Sequence, residues 1–136
     1  MVAMRTQPDE FNILASEANW AWPEALRDIF EPRGVNLLVA QSPGEFANVI
    51  EQKRIHTTIV DIDSETSGLM TIRIIRMNYP LLPCILLASE VGAAMLSKAL
   101  QLDVFSVIDK PVDMQVLQDQ LNRLFIKKYH SAIFAQ

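Results

Sequence analysis

The chain has 136 residues, half of them hydrophobic, and a formal net charge of −4. That length suits one domain, and that apolar share suits a continuous core. The single cysteine, Cys84, excludes an intrachain disulfide and fits a reduced, cytoplasmic setting. No apolar run reaches the roughly 18 residues of a transmembrane helix, and no Lys/Arg cluster beyond Lys127 and Lys128 marks a nucleic-acid surface.

Residues 1–10 are polar, lack the apolar region of a signal peptide and read as a disordered lead-in. FNILAS (11–16) is the first apolar run, ending at Ser16 and Glu17. Trp22, Ala25, Leu26, Ile29 and Phe30 then follow helical spacing, and Pro32 and Gly34 end that helix. Trp22 faces its core side, while Trp20 reads as surface packing near the strand ends. VNLLVA (35–40) is the second run. In SPGE (42–45), Ser42 caps a helix, Pro43 suits its first position, and Glu45 completes a capping box. Phe46, Val49 and Ile50 are its core residues. TTIVD (57–61) is the third run, and a helix over 68–78 follows before Pro80 and Pro83.

CILLA (84–88) is the fourth run and predicts a buried, inert thiol at Cys84. A helix over 91–100 leads to the fifth run, VFSVI (104–108). Asp113 caps the last helix, whose stripe is Val116, Leu117, Leu121, Leu124 and Phe125. Residues 11–126 therefore form the domain, and 127–136 are a tail or the start of a linker.

Runs that are apolar at nearly every position suit strands covered on both faces. Their alternation with amphipathic helices predicts an α/β fold, a doubly wound five-stranded parallel sheet. Sites in such sheets form at the carboxyl ends of the strands. There the sequence places Ser16, Glu17, Asp61, Ala88, Ser89 and Lys110. His56 and His130 are isolated and make no zinc site. No GxxxxGK[ST], GxGxxG or GxSxG occurs, which argues against nucleotide binding and an α/β-hydrolase.

The ordered set ILASE, GVNLLVAQSPGEF, HTTIVD and VIDKPVDMQVL resembles the receiver domain of two-component response regulators over residues 11–126. The resemblance implies a flavodoxin-like (βα)5 fold. It also implies that Asp61 accepts a phosphoryl group from a histidine kinase or phosphotransfer protein, and that Lys110 stabilises the phosphoryl charge. Mg²⁺ would be held by Glu17, Asp61 and the loop at Asp63, which supplies a backbone or auxiliary ligand. Catalysis would be limited to self-phosphorylation and dephosphorylation at Asp61.

The chain also departs from the family pattern. Ser16-Glu17 stands where two acids are usual, and Ala88 replaces the switch hydroxyl, with Ser89 one residue late. Val107 holds the usual aromatic position of the fifth strand, with Phe105 two residues earlier on the same face. These departures describe a degenerate receiver, a pseudo-receiver variant, that works as a protein-interaction module with or without phosphorylation. A conventional Mg²⁺-dependent phosphoacceptor regulator and a flavodoxin-like small-molecule binder are the alternatives.

Glu65 reads as helix N-terminal charge. In the helix over 68–78, Leu69, Ile72 and Ile75 suffice for the core. Met70, Ile74 and Met77 form a second stripe suited to a signalling partner or a homodimer. Met95 and Leu100 lie on the usual receiver dimer face. No membrane or nucleic-acid partner is expected.

Overall fold

The computed structural model describes residues 11–16, 27, 28, 30–63 and 65–130, without the side chains of 65–67 and 69. The lead-in, Glu17, Trp20, Trp22, most of the first helix, the Glu65 and Leu69 side chains and the tail beyond His130 lie outside the described residues. The elements are β1 (Phe11–Ser16), β2 (Val35–Ala40), α1 (Pro43–Gln52), β3 (Thr57–Asp61), α2 (Glu65–Asn78), β4 (Cys84–Ala88), α3 (Ala93–Gln101), β5 (Ser106–Asp109) and α4 (Met114–Tyr129). The five strands pair in parallel in the order β2-β1-β3-β4-β5. Strand order reverses beside β1, which puts the ends of β1 and β3 at the switch point.

Two cores explain the apolar runs. Ile13, Ala15, Ile59, Ile85, Leu87 and Ile108 face Phe30 and the α4 residues Leu117, Leu121, Leu124 and Phe125. Leu14, Ala40, Val60, Cys84 and Leu86 face the other way, onto Phe46 of α1, Ile72 and Ile75 of α2 and Ala99 of α3. Odd and even positions of one strand thus serve opposite layers, which is why the strands read as largely apolar runs.

Local chemistry sets the ends of the elements. Gly34 adopts a φ of 77° to leave the 3₁₀ turn Glu31–Arg33 and enter β2. The Ser42 hydroxyl accepts the Glu45 amide, and Asp113 accepts the amides of Gln115 and Val116. The buried hydroxyls of Thr57 and Thr58 both donate to the Pro83 carbonyl, fixing where β4 begins.

Several expectations need correction. The Glu45 carboxylate accepts the amide of Gln41, one residue before the cap, so the capping box is displaced outward. α2 begins at Glu65 and α3 at Ala93. β5 begins at Ser106, because Val104 still donates to Ala99 and belongs to the turn leaving α3. Phe105 precedes the strand's alternation, so it packs on the α4 side while Val107 packs on the α2–α3 side. The two therefore do not share a face. Val116 is 42% exposed, off the buried stripe of α4.

Candidate functional site

Asp61 ends β3 and is 1% exposed. Burial of a carboxylate is costly unless it is paired, and both its oxygens have partners. Oδ1 accepts the Asp63 amide at 2.9 Å, and Oδ2 lies 2.7 Å from Lys110 Nζ. Lys110 follows β5 directly, and its amide donates to the Ala88 carbonyl. The Lys110–Pro111 peptide is cis. Two chain segments 49 residues apart are thereby joined through one part-buried ion pair.

The Asp63 carboxylate turns back towards this pair. Its Oδ2 accepts the Ser89 amide at 2.7 Å and lies 3.3 Å from Lys110 Nζ. Burial pushes the Asp63 carboxyl up, but hydrogen bonds from Ser89 and Lys110 outweigh it and hold it below the usual range. Burial likewise disfavours charge on Lys110, but the carboxylates of Asp61 and Asp63 hold its ammonium above its ordinary value. Lys110 is thus the charged hub between two acids.

Ser16 ends β1 beside Asp61. Its hydroxyl is buried and accepts the Asp61 amide at 3.0 Å, bracing the end of β3 against β1. Ala88 is buried, and Ser89 after it bonds the Asp63 carboxylate through its backbone amide and its side chain. Gly68 is a participant that sequence reasoning passed over. A Cβ at Gly68 would lie 2.6 Å from the Asp61 carbonyl oxygen and 2.8 Å from Ile62 Cα. A lone glycine in the first turns of α2, close after Asp61, is the available signal. Met70 and Met77 are 53% and 79% exposed on α2, with Ile74 half-buried.

The site is a hard-oxygen, carboxylate environment, the class of donor Mg²⁺ takes. Among the described residues no group of three or more metal-ligating side chains forms. The Asp61 carboxylate, with its oxygens on the Asp63 amide and Lys110, is such a donor. These donors fit a largely hydrated Mg²⁺ held by Asp61 and the Asp63 backbone rather than a protein cage. The described helices include none long and apolar enough to cross a membrane.

Residues 13–122 match the family model of the response regulator receiver domain. No curated protein matches the chain. Solved structures share its fold. A response regulator receiver protein from Pseudomonas putida is 27% identical, with a TM-score of 0.73 over 84% of this chain and 97% of that one. The Vibrio cholerae chemotaxis protein CheY4 is 18% identical, with a TM-score of 0.73 over 85% and 98%. The signal receiver domain of a modulated diguanylate cyclase from Desulfovibrio desulfuricans G20 is 22% identical, with a TM-score of 0.70 over 88% and 97%.

Proposed function

Because this chain belongs to the response regulator receiver domain family, we propose that it is a signalling module that accepts a phosphoryl group on Asp61. The observation that carries this reading is the 2.7 Å contact between Lys110 Nζ and Asp61 Oδ2, on a carboxylate 1% exposed at the end of β3. A phosphoryl donor is anionic and so is its target, so a fixed cation at the acceptor oxygen favours the transfer. In the transfer, the phosphorus–nitrogen bond of a phosphohistidine breaks and a phosphorus–oxygen bond to Asp61 forms. The electron pair of the broken bond stays on the imidazole. Mg²⁺, when bound, offsets the repulsion between donor and acceptor oxygens.

Chemistry ends there in this reading: the domain passes on a state and turns over no separate substrate. Ser16 holds the Asp61 backbone and adds no negative charge, so the Mg²⁺ site is weak. With Ala88 in the hydroxyl position, the usual strand-4 switch is absent. That is the sense in which the receiver is degenerate. Its readout is a contact with a protein partner, and we assign that contact to the Met70, Ile74 and Met77 stripe. Exposure of Met70 and Met77 supports the assignment.

The deciding experiment incubates the protein with acetyl phosphate and Mg²⁺ and reads intact mass. The unaltered chain gains one phosphoryl mass, and Asp61→Asn gains none. Absence of any gain on the unaltered chain removes the acceptor role and leaves a phosphorylation-independent interaction module.

A further inference from the structure

Two donors from different strand ends converge on Asp63 Oδ2. The Ser89 amide lies 2.7 Å from it, and Lys110 Nζ lies 3.3 Å from it. The same ammonium is 2.7 Å from Asp61 Oδ2. An ammonium and an amide N–H aimed at one anionic oxygen form an oxyanion site. Here the chain fills that site with its own side chain.

We propose that Asp63 is an internal oxyanion that occupies the place of a phosphoryl oxygen on Asp61 and is expelled when one arrives. Asp61 cannot move aside, since it is buried at a strand end. Asp63 can, because its side chain is 35% exposed and sits in the loop between β3 and α2. A phosphoryl group on Asp61 Oδ2 brings new anionic oxygens to Lys110, where the Asp63 carboxylate already stands. Two anions on one ammonium repel, and the exposed one swings into water.

Expulsion releases Ser89, because the Asp63 carboxylate is what its amide now holds. Ser89 opens the turn from β4 into α3. The state of Asp61 is thus passed to the start of α3 without a hydroxyl at position 88. The inference rests on the acceptor reading only for the identity of the natural anion. The competition itself concerns any phosphate-like oxyanion.

The test titrates inorganic phosphate into the whole chain and follows the Ser89 amide by ¹⁵N–¹H NMR. Three proteins are compared: unaltered, Asp63→Ala and Asp63→Asn. Before phosphate, the Ser89 amide resonance moves in both variants, because its carboxylate acceptor is gone. Phosphate then binds both variants at least about tenfold more tightly than the unaltered chain, since one like charge at close range is removed. Equal affinity in all three proteins overturns the proposal. An Asn variant that binds phosphate as weakly as the unaltered chain also overturns it, because bulk and not charge would then fill the site.

Acyl-phosphate mass on Asp61 is read separately. Mass gain without any change in phosphate affinity sinks the internal oxyanion and keeps the acceptor. Tighter phosphate binding without mass gain does the reverse.

Discussion

The Ser16 hydroxyl accepts the Asp61 amide at 3.0 Å, so a side chain at the end of β1 holds the Asp61 backbone at the end of β3. The bond is buried and spans 45 residues of sequence. Ser16→Ala leaves the Asp61 amide without its acceptor, and a buried orphan donor costs about 1–3 kcal/mol. Urea unfolding should show that loss. Ser16→Asp replaces the hydroxyl by a carboxylate beside Asp61 and raises the ligand charge for Mg²⁺. Isothermal titration should find Mg²⁺ bound about tenfold more tightly in that variant. Unchanged Mg²⁺ affinity would mean that the lost acid is not what weakens the site.

The Lys110 ammonium touches both Asp61 and Asp63. Lys110→Met removes it while keeping most of the apolar stem. Removing one partner of a buried pair is costly, and the 24% exposure of the Lys110 side chain puts the effect near the low end, at about 3 kcal/mol. Acyl-phosphate accumulation on Asp61 should fall in parallel. A variant that keeps full stability would show that Asp61 is paired well enough without the ammonium.

Much of this arrangement was legible in the sequence. The bounds of the first four strands coincide with apolar runs, because β3 and β4 are buried on both faces and β1 and β2 expose no residue fully. The start of β5 is two residues later than its apolar run because Val104 and Phe105 are as apolar as the strand they precede. Yet Val104 bonds back to Ala99, and Phe105 only leads into the strand with one amide bond to Cys84. Composition does not separate the two cases. Asp61 and Lys110 were found together through their motif positions at strand ends. The direction of the Asp63 side chain was not, because it depends on the Ser89 amide, which lies 26 residues away in sequence. Ser16 read as a lost acid, and only the pairing of β1 with β3 reveals what its hydroxyl holds.

Gly68 sets how closely α2 approaches the end of β3 at Asp61. Alanine in a helix ordinarily gains up to about 1 kcal/mol over glycine. At this position its Cβ would stand 2.6 Å from the Asp61 carbonyl oxygen, which is backbone and cannot rotate away. Displacement of a packed backbone costs about 1–3 kcal/mol, so the steric cost prevails. Gly68→Ala should therefore be less stable than the unaltered chain and slower to gain phosphoryl on Asp61. A stabilised Gly68→Ala protein with normal labelling would show that α2 can retreat without disturbing β3.

Cys84 is fully buried in β4, and burial pushes its thiol up to about 11. The reactive thiolate is then scarce at pH 8 in addition to being inaccessible. A colorimetric disulfide reagent should find no thiol in the native protein and one per chain in denaturant. Prompt labelling under native conditions would place Cys84 in a segment that opens readily.

His56 supplies the pH dependence near neutrality. Its ring is buried between Phe11 and Tyr129, and Nδ1 accepts the Asn12 amide at 3.0 Å, a bond that only the neutral ring can make. Burial, with the Arg54 charge adding to it, lowers its pKa from the ordinary 6.5. The unfolded chain therefore binds a proton that the folded chain resists. Stability is full above pH 6.5, falls as the pH drops below it, and levels off below the lowered folded value. The lowered carboxyl of Asp63 acts only near and below about pH 4, outside this window. Urea unfolding at pH 7.5 and pH 5.5 should show the loss in the unaltered chain. His56→Asn offers an uncharged oxygen to the Asn12 amide, so that variant should show little change between the two conditions. An equal loss in both proteins would assign the pH dependence to another group.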